Sequence, residues 1–197
     1  MSDFDDLLAA LEPVVAALRR LGVKHYVGGS VASTFHGAIR STMDVDLVCA
    51  LAEQQAAALI EACGPDFYAN PAVARAAVRE RTCFNLIHLP TSYKIDVFVD
   101  RGRQFDQAAF DRAQPESFGP PASEPIPVAT VEDSILAKLE WYRMTDETSE
   151  RQWDDVSRLV RLHATKLDVD YLQTMADSIH VRDLLDRVLA LRRRDTE

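Results

Sequence analysis

The chain is short of several things, and each shortage excludes a class of protein. Cysteine occurs only as Cys49, Cys63 and Cys83, without a Cys-x-x-Cys pair. That scattered set reads as small buried hydrophobes in a reducing compartment, not a disulfide framework or a zinc site. The five histidines show no His-Glu-x-x-His or related ligand spacing. Long apolar runs are missing too. The longest stretch without Asp, Glu, Lys or Arg is His25 to Ile39, 15 residues broken by His, Ser and Gly, too short to span a bilayer. The opening MSDFDDLL is acidic where a signal peptide would be basic. The expectation is a cytoplasmic protein with no membrane partner.

Basic charge is also scarce. Lys+Arg number 22 against 31 Asp+Glu, a formal charge of −9. Broad, sequence-independent binding of nucleic acid needs a basic surface to displace counterions, so this balance argues against it. Nucleotides themselves stay open, because metal-dependent phosphate chemistry is run by carboxylates. What the chain does have is 47% hydrophobic residues in 197. A length of about 1.3 average domains predicts one domain with an appended helical region.

Helical and strand patterns interleave in the front half. Leu7, Leu8, Leu11, Val14, Val15, Leu18 and Leu21 form an amphipathic stripe that Pro13 can divide and Gly22 stops. His25-Tyr26-Val27 is a short strand that runs into Gly28-Gly29-Ser30, where Ser30 can cap the segment that follows. DVDLVCA (44–50) alternates at its start like a strand with one polar face. Glu53 to Cys63 reads as helix, and Pro71 opens another. CFNLIHL (83–89) and YKIDVFV (93–99) are strands joined by a link short enough for a hairpin. Five prolines between Pro115 and Pro127 mark the best boundary in the chain. Beyond it, residues 131–143, 149–163, 169–178 and 181–194 all read as helices. The division is therefore an α/β core over 1–114, a proline-rich connection over 115–128 and a helical region over 129–197. The fold class is α/β (α+β), a mixed sheet followed by helices.

Three features carry chemistry. Gly28-Gly29-Ser30 lets backbone approach a ligand and offers donors to phosphate oxygens, although a Gly-Gly-Ser turn is also ordinary punctuation. Asp44 and Asp46, two apart on a strand, project from one face. Two carboxylates so close favour a cation between them, and Mg²⁺ or Mn²⁺ suits the pair; the bland reading is a polar edge strand. Asp96 lies inside an apolar strand, where an acid needs a partner. If its strand lies near that of Asp44 and Asp46, the three form a metal-holding cage; otherwise Asp96 faces solvent and pairs with Lys94 two residues away.

Gly29-Ser30, a gap, Asp44-x-Asp46 and a later strand Asp together resemble the signature of the nucleotidyltransferase superfamily that includes DNA polymerase β. GGSVASTFHGAIRSTMDVDL is similar, more narrowly, to small prokaryotic AbiEii-type nucleotidyltransferases, with Gly28, Gly29, His36, Gly37, Arg40, Thr42, Asp44 and Asp46 at the matching positions. VATVEDSILAKL and SERQWDDVSRLV resemble that family's helical half, with Lys138, Arg151 and Asp154 as the matching residues. The resemblance implies metal-dependent transfer of a nucleoside monophosphate from NTP. Asp44, Asp46 and Asp96 would be the catalytic and metal-binding acids. Gly28, Gly29, Ser30, Arg40, Thr42, Lys138 and Asp154 would bind nucleotide. The acceptor is RNA such as tRNA, a protein or a small molecule, and a toxin paired with a cognate antitoxin, or a phage-defence component, is one implied role. The alternative is an inactive nucleotide-binding or interaction module that keeps the fold.

Without the family, Lys138 reads as a snorkelling residue at the border of an apolar stripe, and Arg151, Asp154, Asp155 and Arg158 read as surface ion pairs. His36 reads as a capping or core histidine. Arg75, Arg79 and Arg81 form a basic cluster whose default is a solvated helix face, with nucleic-acid contact the lesser reading.

Overall fold

In the computed structural model, residues 3–38, 44–118 and 124–194 are described. The chain opens with α1 (Asp3–Arg20), β1 (His25–Val27), α2 (Gly29–Phe35), β2 (Asp44–Cys49), α3 (Glu53–Cys63), β3 (Phe67–Tyr68) and α4 (Pro71–Glu80). The hairpin β4 (Cys83–His88) and β5 (Lys94–Val99) follows, then α5 (Gln104–Arg112), β6 (Gln114–Glu116) and β7 (Ile126–Val128). The rest is helical: α6 (Val131–Met144), α7 (Glu150–Leu162), α8 (Val169–Ser178) and α9 (Arg182–Arg194).

The strands make one seven-stranded mixed sheet in the order β3-β4-β5-β2-β1-β7-β6. Its centre explains the site. β2 and β5 run parallel with Asp46 beside Asp96, while β4 lies antiparallel to β5 with Asn85 beside Asp96. Alternation then sorts the side chains. Val45, Leu47, Ile95, Val97, Phe84 and Leu86 are buried on one face, against the layer of α1, α3 and α4. The opposite face holds Asp44, Asp46, Lys94 and Asp96; α2 packs on its β2 side, and α6 packs against α2.

Two local features differ from the sequence reading. Pro13 sits inside a continuous α1, whose Leu11, Val14, Val15 and Leu18 are all buried, so apolar packing holds the helix through the missing N–H. The proline-rich connection contributes sheet. β6 and β7 pair antiparallel with Pro115 opposite Pro127, and β7 joins β1 in parallel. Three-residue strands at the sheet margin need few N–H donors, which makes proline tolerable there. The sheet thus takes a strand from beyond residue 114. Thr130 caps α6 by accepting the N–H of Asp133 at 3.2 Å. Among the described residues no helix is long and apolar enough to cross a membrane.

Candidate active site

The acid face is a small grid. Asn85, Asp96 and Asp46 form one row across β4, β5 and β2; Ile87, Lys94 and Asp44 form the next; Cys83, Phe98 and Val48 form a third. The strand pairing on which the cage was conditional is present, since strands about fifty residues apart lie side by side. The competing pairing is also present, since Lys94 Nζ is 2.8 Å from Asp96 Oδ2 and 3.7 Å from Asp44 Oδ1, although the Asp96 side chain is largely shielded from solvent.

Asp46 is pressed against the turn between β1 and α2. Gly29 has φ +54°, and a β-carbon there would lie 1.5 Å from Asp46 Oδ2, so only glycine fits. The Ser30 N–H donates to the same carboxylate. Ser30 therefore serves through its backbone within the first turn of α2, while Gly28 occupies the cap position. Burial pushes the Asp46 carboxyl up to about 6, with the charges of Asp96 and Asp44 adding to the rise and Lys138 and the Ser30 N–H opposing it. Asp96 accepts a hydrogen bond from the Asn85 side-chain amide. The sequence reading passed over Asn85. Its signal was there: in CFNLIHL a polar residue stands between Phe84 and Leu86, on the face opposite to them.

Lys138 is buried at 5% exposure, which removes the snorkelling interpretation. Its Nζ donates to Asp155 Oδ2 at 2.8 Å, and its charge acts on Asp46. The partner of Lys138 is a neighbour of the acid that the helical motif picked out. Asp154 and Arg151 are exposed on α7, and Asp155, one residue further, is the carboxylate that turns toward α6. Adjacent helical residues point about 100° apart, so the choice between two neighbouring acids depends on which face of α7 is buried. Val156, Leu159 and Val160 define that face. Arg40 and Thr42 lie outside the described residues. His36 is structural: its Nε2 donates to the Ala129 carbonyl at 2.7 Å, and His163 Nε2 donates to the His36 carbonyl at 2.8 Å. Arg79 and Arg81 pair with Glu80 and Asp100 on the exposed surface.

A divalent hard cation fits the donor set. Asp44, Asp46 and Asp96 offer carboxylate oxygens from one face, and an ammonium already lies between two of them. Among the described residues no three such side chains converge to the spacing of a metal cage. Beside the acids, Trp141 of α6 meets Phe98 edge-on at 6.1 Å between ring centroids and keeps an exposed face.

No family model matches the chain, and no curated protein matches it in sequence. Solved structures do. The solution structure of the antibiotic-resistance factor ANT(2'')-Ia is similar with a TM-score of 0.52 at 14% identity, over 96% of this chain and 97% of that one. An antigenic nucleotidyltransferase-like protein from Paracoccidioides brasiliensis is similar with a TM-score of 0.54 at 16% identity, over 94% and 93%. Likeness at these identities is likeness of fold. The chain has the mixed α/β architecture of nucleotidyltransferase-like proteins over nearly its whole length.

Proposed function

We propose that the protein transfers a nucleoside monophosphate from an NTP to a hydroxyl-bearing acceptor, with release of pyrophosphate. The observation that carries this reading is the direct register of Asp46 with Asp96, beside Asp44 and against the Gly29–Ser30 backbone. Asp44, Asp46 and Asp96 would hold Mg²⁺ or Mn²⁺, which when bound neutralises charge on the phosphates and at the attacking oxygen. Gly28 and Gly29 leave room for the triphosphate to approach the backbone, and Ser30 supplies a donor. Lys138, fixed by Asp155, adds a positive charge from the helical side. Asp96, held by Asn85, accepts the proton of the acceptor hydroxyl. The acceptor oxygen bonds to the α-phosphorus as the bond to pyrophosphate breaks. Positioning and electrostatics suffice, with no covalent enzyme intermediate.

The acceptor in this reading is a small molecule rather than RNA. Lys94, Lys138 and Arg101, the cations nearest the acid face among the described residues, are each engaged by a carboxylate. The neighbouring surface offers Asn85, Ile87, Phe98 and Trp141, which suits a neutral or cationic compound with an apolar side. Incubation with each α-phosphate-labelled NTP, Mg²⁺ and separate pools of small hydroxyl compounds, tRNA and total protein tests it. Label in the small-molecule pool is expected. Label in tRNA would redirect the acceptor toward an RNA-modifying toxin. NTP binding without transfer to any pool would favour the inactive module.

A further inference from the structure

Lys94 brings a positive charge into the acid face. It stands opposite Asp44 in the β2–β5 register and two residues before Asp96, so all three side chains emerge on one side of the sheet. The Lys94 side chain is 39% exposed and has water within reach, yet its ammonium turns inward to 2.8 Å from Asp96 and 3.7 Å from Asp44. The neighbouring cation, Lys138, acts on Asp46 through its charge and is held by Asp155. Among the described residues, Lys94 is the cation that reaches both Asp44 and Asp96. An ammonium holds oxygens at hydrogen-bond length, whereas a small divalent ion draws them in to about 2.0–2.1 Å. Among the described residues, the carboxylates do not converge as a metal cage requires.

We propose that Lys94 is a stand-in cation: its ammonium occupies the seat between Asp44 and Asp96 that the divalent ion takes, and yields that seat when the ion binds. This rests on the reading that these acids hold the ion. Two effects of opposite sign follow. Lys94 stabilises the metal-free fold by separating like charges, and it weakens metal affinity because it must be displaced. An ordinary surface ion pair would give neither effect to a measurable degree.

Lys94→Met keeps the length of the stem and removes the charge. Mn²⁺ titration followed by the electron paramagnetic resonance of free Mn²⁺, at about pH 8 where ordinary carboxylates are ionised, reads affinity directly. Thermal unfolding in EDTA and in Mn²⁺ reads the other effect. The expected result is Mn²⁺ affinity raised at least about five-fold, the factor one unit charge at about 4 Å makes even in bulk water. The Tm in EDTA falls, and Mn²⁺ closes the gap to wild type. Lys94→Arg keeps the charge and the weaker wild-type affinity. Unchanged or weaker Mn²⁺ binding by Lys94→Met overturns the proposal. If Lys94→Met fails to fold in EDTA, protein purified in Mn²⁺ is titrated with EDTA instead, and release at the wild-type EDTA concentration or below it overturns the proposal equally. Asp46→Asn separates the two claims. Equal Mn²⁺ binding by wild type and Asp46→Asn sinks the metal reading of the face, whereas loss in Asp46→Asn with no change in Lys94→Met sinks the role of Lys94 alone.

Discussion

Asp46 and Gly29 share a space that holds one of their side chains. Because a β-carbon on Gly29 would overlap the Asp46 carboxylate and the φ of +54° already disfavours other residues, Gly29→Ala must displace both the turn and the acid. The expected cost is about 2 kcal/mol or more in urea unfolding, together with loss of transfer activity. Wild-type stability in that variant would contradict the packing described. The carboxyl itself gives a pH signature. Its pKa is about 6 in the folded protein against 3.8 for the ordinary group, so between these values the native state binds more protons than the unfolded one. Stability in EDTA therefore falls as pH rises through this window, by on the order of 2–3 kcal/mol, and stays reduced above it. Asp46→Asn removes the slope and is more stable than wild type near neutral pH while losing transfer. Urea midpoints across the window check this, and parallel profiles for the two proteins would contradict it. The Asp44-x-Asp46 spacing was legible because strand alternation fixes which face each acid takes. The demand for glycine at 29 specifically was not, since it depends on a carboxylate seventeen residues away in sequence.

At the scale of elements, the junction of α6 and α7 places a buried charge beside the acids. Lys138 and Asp155 have side-chain exposures of 6% and 14%, and their Nζ–Oδ2 distance is 2.8 Å. Breaking such a pair from one side leaves an uncompensated buried charge, costing about 3–5 kcal/mol, whereas replacing both partners with apolar groups is often neutral. Asp155→Leu alone is expected to be strongly destabilised, and Lys138→Met/Asp155→Leu to recover most of the wild-type urea midpoint. The double variant is nevertheless expected to bind NTP more weakly, because the charge from the helical side is gone. Nucleotide titration of a well-folded double variant decides the matter; unchanged affinity would show that Lys138 is structural only. Helix existence along 131–194 was readable from periodicity, and the Lys on α6 from its motif. The acid that pairs with Lys138 was not, because Asp154 and Asp155 differ by one step of rotation and only the packed face of α7 distinguishes them. Asp96 shows the opposite case: the acid pair and Lys94 were named as its alternative partners, and the register sets it beside both.

Over the whole molecule, the sheet and the helical half close on one another. Arg101 and Arg103, beyond β5, reach Glu140 of α6, and Arg112 of α5 reaches Glu132. Residues from both halves belong to one apolar core, from Leu11 and Val45 to Leu139 and Val188. The prolines mark a change of composition, but tertiary contacts cross that stretch, and β6 and β7, which lie largely within it, belong to the sheet. The strand order was hidden for the same reason: parallel pairing of β2 with β5 is a long-range choice that no local pattern encodes. Fold class and the three acids were thus available from the sequence, and their meeting point was not. That meeting point is the central claim, and it predicts that the acids act together on one transfer reaction. The most direct test is Mg²⁺-dependent pyrophosphate release from NTP in the presence of a hydroxyl acceptor, for wild type and Asp96→Asn under the same conditions. Release by wild type and a fall of about 10²–10⁴-fold in Asp96→Asn, the usual contribution of a positioned general base, is the predicted result. Equal release by the two proteins would contradict the account.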